Sequence, residues 1–213
     1  MEISFFLISI SSLFALINPI GIAPIILTVT ENFTIKEYNR TIAKGILIAG
    51  IILLLFAVFG QYVLSFYEIT IYAFKIAGGI LFLRIGINML EAKVSRTKST
   101  PKESEEALNN EDIALSPIAM PIIAGPGAIT SVMLLSAEAS NYNQKIIFYL
   151  SIIIVLAITF IILSLGKVFT KKLGTTGLRV IQRIMGLLLM VIAVQFIVDG
   201  LSLVILEFIK QNF

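Results

Sequence analysis

The chain has 213 residues, of which 58% are apolar and only 14% are charged, with a net charge of +3 and a mean hydropathy of +1.00. Soluble domains carry roughly 25% charged residues, so this composition excludes a water-soluble fold and the lipid bilayer is the expected solvent. Histidine and cysteine are both absent, which excludes a Ser-His catalytic pair, thiolate chemistry and the usual zinc ligand sets. We therefore expect an integral membrane protein that is not an enzyme and that holds neither a metal nor a cofactor.

Six apolar segments are long enough to cross the hydrocarbon core as helices, for which about 20 residues are needed. Their Leu- and Ile-rich runs are continuous, whereas the strands of a membrane barrel alternate apolar and polar residues. The predicted fold class is an all-α membrane protein with six transmembrane helices, at residues 4–30, 43–66, 71–91, 113–137, 146–168 and 183–206.

The segment between the third and fourth spans is hydrophilic. Residues 93–112 read KVSRTKSTPKESEEALNNED and predict a solvated linker between a first repeat at 1–92 and a second repeat at 113–213. Twelve Lys and Arg residues fall on the membrane side that this linker shares with two other connections, and three fall on the opposite side. By the positive-inside rule, we expect a multi-pass protein of the cytoplasmic membrane with a cytoplasmic linker and both termini outside.

The two repeats match each other at a fixed shift of 107 residues. Scarce residue types coincide at this shift, in the pairs Pro19 and Pro126, Glu31 and Glu138, and Gly79 and Gly186. Because each repeat has an odd number of spans, the second repeat must enter the membrane from the opposite side. Such inverted three-helix repeats are a known architecture of secondary transporters. The glycines of helices 3 and 6, which include Gly79, Gly86 and Gly186, are typical of close helix contacts.

Helices 1 and 4 of this prediction carry helix-breaking residues near their centres, NPIGIAP at 18–24 and AGPG at 124–127. Proline lacks an N–H and clashes with the preceding turn, so we expect both helices to be broken at the membrane midplane. Half-helices would begin near Ile22 and Gly127 and end near Ile17 and Ala124. Their free N–H groups and carbonyls would suit the two charges of a small zwitterion. The alternative is ordinary proline kinking, in which water and hydroxyl groups restore the lost hydrogen bonds.

The predicted substrate-binding residues all belong to these two breaks. They are Asn18, Pro19, Gly21, Ile22, Ala23, Ala124, Gly125, Pro126, Gly127, Ala128 and Thr130. Asn18 would contact the substrate or cap the second half-helix, and these two roles are compatible. For Thr130 and the neighbouring Ser131, the alternative is a hydrogen bond back to their own helix.

Three ionisable residues are candidates for coupling transport to an ion. Arg84 is the one charge well inside a predicted span, where a charge indicates function, although an arginine near a helix end also snorkels to the interface. Asp199 lies near the outer end of helix 6 and is an isolated carboxylate. Glu138 lies at a helix end, where capping or gating is an equal alternative to coupling.

The segments FALINPIGIAPI (14–25) and SPIAMPIIAGPGAIT (116–130) resemble the MarC family of inner-membrane proteins, and the resemblance covers the whole chain in length, span count and linker placement. Some members of that family transport small neutral amino acids such as glycine and alanine. The resemblance implies the same substrate class here, with protons as the coupling ion. By motif it also implies that Asn18, Pro19 and Gly21, together with Gly125, Pro126 and Gly127, line the site.

These observations together predict a secondary transporter of small neutral amino acids that works by alternating access. Its expected partners are a small zwitterionic substrate, the lipid bilayer and protons, whereas the oligomeric state is left open. A membrane scaffold that transports nothing and a channel for small solutes are the alternatives. ATP-driven pumping is not predicted because there is no P-loop, and nucleic-acid binding is not predicted because membrane orientation accounts for the basic residues.

Overall fold

A computed structural model describes residues 2–30, 33–91 and 114–212, so Glu31 and the predicted linker at 93–112 lie outside the described residues. Within these ranges the secondary structure is helical throughout. The helices are α1 (Glu2–Ile17), α2 (Pro19–Val29), α3 (Ile35–Phe66), α4 (Ile71–Leu90), α5 (Ala114–Ile123, π-helical), α6 (Pro126–Glu138), α7 (Tyr142–Ser164) and α8 (Gly166–Asn212, kinked at Gly174).

Among the described residues, five helices are long and apolar enough to cross a membrane, if α1 and α2 are counted as one run and α8 is counted from Thr176. They correspond to the first, second, third, fifth and sixth predicted spans. The fourth predicted span is divided between α5, with 10 residues, and α6, with 13, and neither reaches crossing length alone. The all-α membrane prediction is therefore confirmed, and five of the six predicted spans coincide with a candidate membrane span.

Four of the described helices, α2, α3, α4 and α7, begin at side-chain caps. Thr34 and Glu37 form a capping box at the start of α3, in which the Thr34 N–H donates to the Glu37 carboxylate at 2.9 Å. Asn141 accepts a hydrogen bond from the Gln144 N–H at 2.8 Å and starts α7. The cap at Thr34 explains why α3 begins well before the apolar run that starts at residue 43. The first two turns of α3, which precede this run, are polar.

Helices α4 and α8 pack antiparallel with their backbones in contact. A β-carbon added at Gly86 would lie 3.0 Å from the Gly186 carbonyl oxygen, and one at Gly79 would lie 2.8 Å from the Ala193 carbonyl oxygen. Only small residues allow two membrane helices to approach this closely. The prediction that the glycines of these two helices mark close contacts is confirmed.

Helix α6 lies in the interior of one half of the bundle, where residues 131–135 are all buried. Its Ser136 hydroxyl donates to the Ala57 carbonyl of α3 at 2.6 Å, and Gln61 of α3 donates to the Ser136 carbonyl at 3.1 Å. In the other half, the Tyr38 hydroxyl of α3 donates to the Leu163 carbonyl of α7 at 2.6 Å. Helix α3 is thus hydrogen-bonded to α6 in one half of the bundle and to α7 in the other.

Candidate functional site

The first break is a single residue, Asn18, which separates α1 from α2. Its backbone is left-handed (φ 50°, ψ 58°), a conformation that asparagine tolerates better than most residues. Its side-chain oxygen accepts a hydrogen bond from the Gly21 N–H at 3.2 Å and so caps α2. Pro19 follows as the first residue of α2, where its missing N–H is tolerated. The capping role considered for Asn18 is therefore observed.

Gly21 leaves room for the Asn18 amide. A β-carbon at Gly21 would collide with the Asn18 side-chain nitrogen and would lie only 2.8 Å from its Cγ. The break is narrower than the sequence indicates, because α2 already begins at Pro19 rather than near Ile22, and Pro24 lies inside it. The predicted end of the first half-helix at Ile17 is correct.

The second break lies between α5 and α6. Helix α5 is π-helical, and its i→i+5 bonding continues to the Ala124 N–H, which donates to the Ala119 carbonyl at 2.8 Å. Gly125 is the N-cap of α6 and provides no side-chain hydrogen bond, while Pro126 is the first helical residue. The N-terminus of α6 therefore lacks the side-chain cap that Asn18 gives to α2.

The structure brings the two breaks together. A β-carbon at Gly127, in the first turn of α6, would lie 3.0 Å from Leu16 of α1 and 2.9 Å from Ile85 of α4. Leu16 is two residues before Asn18, so the start of α6 packs directly beside the end of α1. Residues from both sides of both breaks also share one buried cluster, which includes Ile17, Ile22, Ala23, Ile123, Ala124 and Ala128.

The predicted binding residues differ in their burial. Most are buried, namely Asn18, Pro19, Ile22, Ala23, Ala124, Gly127 and Ala128, whereas Gly21, Gly125 and Thr130 are half-buried. Pro126 is exposed, so the N-terminus of α6 reaches the molecular surface. The Thr130 methyl group packs towards α4, where it would lie 3.0 Å from a β-carbon at Gly78.

The three coupling candidates lie apart from this pair of breaks. Glu138, the last residue of α6, forms a salt bridge with Lys75 of α4 at 2.8 Å, and both side chains are largely buried. Asp199 accepts a hydrogen bond from Gln195 of its own helix at 2.6 Å. Arg84 is exposed on the outward face of α4, as expected for a side chain that snorkels along lipid.

Of three buried serines near the breaks, the sequence prediction considered only Ser131, as a candidate substrate contact beside Thr130, and did not place Ser9 or Ser12 in the site. Ser9, Ser12 and Ser131 are fully buried, and their hydroxyl groups have no hydrogen-bond partner among the described residues. For Ser131 the alternative of a bond back to its own helix is thereby wrong. The sequence signal was weak, because an isolated serine in an apolar helix usually satisfies itself on its own backbone.

Comparison with known proteins identifies the family. The sequence model described as "MarC family integral membrane protein" matches residues 3–205. Relatives include a UPF0056 membrane protein of Methanocaldococcus jannaschii, 42% identical over 94% of this chain and 98% of the relative, and the UPF0056 membrane protein YvbG of Bacillus subtilis, 40% identical over 95% and 96%. The UPF0056 membrane protein YhcE of Escherichia coli is 34% identical over 89% of this chain and 88% of the relative. No solved structure matches the chain. With its profile matched over nearly its whole length, this chain is an integral membrane protein that belongs to the MarC family.

Proposed function

We propose that this protein is a secondary transporter of small neutral amino acids, and that glycine or alanine binds between the α1–α2 break and the α5–α6 break. The observation that carries the proposal is the contact between the breaks, where Gly127 at the start of α6 packs beside Leu16 at the end of α1. Interrupted helices at corresponding positions of two repeats are the best pointer to a transport site in a membrane protein.

The chemistry of the breaks favours a small zwitterion. Residues 18–23 and 124–130 contain no charged side chain, so the charges that these two segments offer to a solute are the partial charges of the helix ends. Helix α6 starts without a side-chain cap, and a substrate carboxylate would provide the missing hydrogen-bond acceptor. The ends of α1 and α5 carry the negative ends of their helix dipoles, which suit an ammonium group. Glycine and alanine residues line this region, and they favour a small solute.

The arrangement of α4 and α8 supports the inverted-repeat part of the proposal. At the shift of 107 residues, the contact between Gly79 and Ala193 corresponds to the contact between Gly186 and Gly86. Two contacts that exchange in this way are expected when a two-fold pseudosymmetry axis passes between the helices. Alternating access would then arise from rocking of one repeat against the other around the breaks.

Proton coupling is the finer part of the proposal, and Glu138 is its first candidate. Its salt bridge with Lys75 joins α6 of the second repeat to α4 of the first, so protonation of the carboxylate would weaken a contact between repeats. Asp199 and Arg84 lack such a contact in the described residues and are the next residues to substitute. We also propose that both termini lie outside the cytoplasmic membrane and that residues 93–112 are cytoplasmic, as the charge distribution predicts.

The decisive experiment is uptake of labelled glycine and alanine into proteoliposomes, with and without an imposed pH gradient. The test variant is Gly125→Leu, which places a bulky side chain at the uncapped start of α6. The matched control is Gly177→Leu, because the three atoms nearest to a β-carbon at Gly177 all belong to Leu173 of its own helix. We expect saturable, gradient-driven uptake by the wild type and the control and its loss in Gly125→Leu.

Other outcomes would favour the alternative functions. Uptake that rises without saturation would indicate a channel, since a channel needs no binding site shaped for its solute. Absence of uptake by well-folded wild-type protein under every gradient would refute the amino acid proposal and favour a scaffold. Equal uptake by Gly125→Leu and the wild type would move the binding site away from the second break.

A further inference from the structure

The three buried serines lack the hydrogen bond that Ser11 and Ser151 make to their own helices. The Ser164 hydroxyl, at the end of α7, also has no partner among the described residues, but Ser164 as a whole is only half-buried. Ser11 donates to the Leu7 carbonyl at 2.7 Å, and Ser151 donates to the Ile147 carbonyl at 2.8 Å, which is the usual bond to the preceding turn. Ser9, Ser12 and Ser131 make no such bond, although none of them is exposed. A buried hydroxyl without a partner is costly, so each is expected to meet a polar group in some state of the protein.

Two of these hydroxyls lie on facing surfaces of α1 and α6. The two helices are antiparallel, because Gly127 at the start of α6 packs on Leu16 near the end of α1, while at the other end Asn143 of α7, shortly after α6, donates to Glu2 at 3.0 Å. Ser131 lies four residues after Gly127, and Ser12 lies four residues before Leu16. Residues four apart share a helix face, so Ser12 and Ser131 lie at the same level along the two helices. This level is one helical turn from the contact of Gly127 with Leu16, towards the end of the bundle where α1 begins.

Ser9 extends this surface towards the start of α1. It lies three residues before Ser12, again on the same face of the helix. The hydroxyl seam, defined as Ser9, Ser12 and Ser131, therefore leads from the paired breaks towards the end of the bundle where α1 begins. In this structure the seam is closed, because α6 is buried from Ser131 to Leu135.

We propose that the hydroxyl seam is the passage by which a small hydrogen-bonding solute moves between the paired breaks and the end of the bundle where α1 begins. The proposal rests on the transport function proposed above and assigns its route. When α1 and α6 separate, the three hydroxyls meet water or the solute. When the helices close again, the hydroxyls are left without partners, which favours reopening.

The equivalent contact in the other half of the bundle has a different character. At the shift of 107 residues, Ser12 corresponds to Ala119 and Ser131 corresponds to Pro24, and neither of these has a hydroxyl group. Ala119 is fully buried, and Pro24 lies inside α2. Ser9 corresponds to Ser116, so one of the three serines is kept at the equivalent position. Two of the three hydroxyls of the seam are therefore specific to the α1–α6 side.

The test introduces single cysteines. Because the natural chain contains no cysteine, any thiol modification that is measured belongs to the introduced residue. Ser12→Cys and Ser131→Cys in proteoliposomes would be treated with a small cationic methanethiosulfonate reagent. If the open state is populated to about 1%, modification should be about a hundredfold slower than that of an exposed thiol, and still measurable. Ser151→Cys is the matched control, since Ser151 is equally buried but its hydroxyl is bonded within α7. We expect no modification of the control.

Two results would overturn the proposal. One is modification of Ser12→Cys and Ser131→Cys no faster than that of Ser151→Cys, in protein that elutes as a single folded species. The other is unchanged amino acid uptake by the Ser12→Ala, Ser131→Ala double variant. This variant removes both hydroxyl groups without introducing a sulfur atom, which is larger than oxygen. The thiol readout needs no transported substrate. Modification of the seam without amino acid uptake would therefore support the passage and refute only the proposed substrate.

Discussion

Because the backbone at Asn18 is left-handed, we predict which of two substitutions at this position, alanine or glycine, lowers the stability of the protein more. Alanine at this position would lose the cap on Gly21, about 1 kcal/mol, and would also occupy a conformation that costs an ordinary residue roughly 1–2 kcal/mol. Glycine adopts a positive φ freely and is a tolerable cap, so it should cost only a few tenths of a kcal/mol. We therefore expect Asn18→Ala to be less stable than Asn18→Gly by about 2 kcal/mol.

The assay is unfolding in mixed micelles of increasing SDS content, followed by circular dichroism of the helices. Asn143 provides the matched control, because it is an exposed asparagine in the first turn of α7 with helical backbone. There glycine should be the worse substitution, by up to about 1 kcal/mol, as is usual within a helix. The order of the two variants should thus invert between positions 18 and 143. The same order at both positions would refute the left-handed break.

Two further contacts give predictions of their own. Tyr38→Phe should destabilise the protein by about 1 kcal/mol in the same unfolding assay, because it removes the hydrogen bond to the Leu163 carbonyl, whereas Tyr62→Phe at an exposed site should change nothing. The single variants Lys75→Glu and Glu138→Lys should both lower stability, and the double exchange should recover about 0.5–1 kcal/mol. Absence of recovery in the double variant would contradict a direct interaction between the two side chains.

The sequence predicted the broken helices well, because proline and glycine act locally. An N–H is absent at Pro19 and Pro126 in any fold, so an interruption near each is expected from chemistry alone. The extent of each break was harder to predict. The first helix breaks at Asn18, whereas Pro24 remains inside α2. The residue at which a helix breaks is decided by tertiary packing, and a single sequence carries no direct information about that packing.

The π-helical form of α5 and the buried serines could not be predicted for a related reason. Continuous apolar runs look the same for i→i+4 and i→i+5 bonding, so periodicity cannot distinguish them. A serine in such a run is compatible with a bond to its own helix, with lipid or with a passage. The difference emerges only when the facing helix is known, as it is for Ser12 and Ser131.

The close packing of α4 against α8 has a mechanical consequence. A β-carbon at Gly86 would lie 2.7 Å from Met190 Cγ, and one at Gly79 would lie 2.6 Å from Ile197 Cγ1, so side chains of α8 fill the grooves beside the glycines of α4. Such side chains would have to leave these grooves before either helix could turn about the other. A motion that changed the crossing angle of α4 and α8 would therefore have to repack Met190 and Ile197, and we expect this contact to resist such a motion.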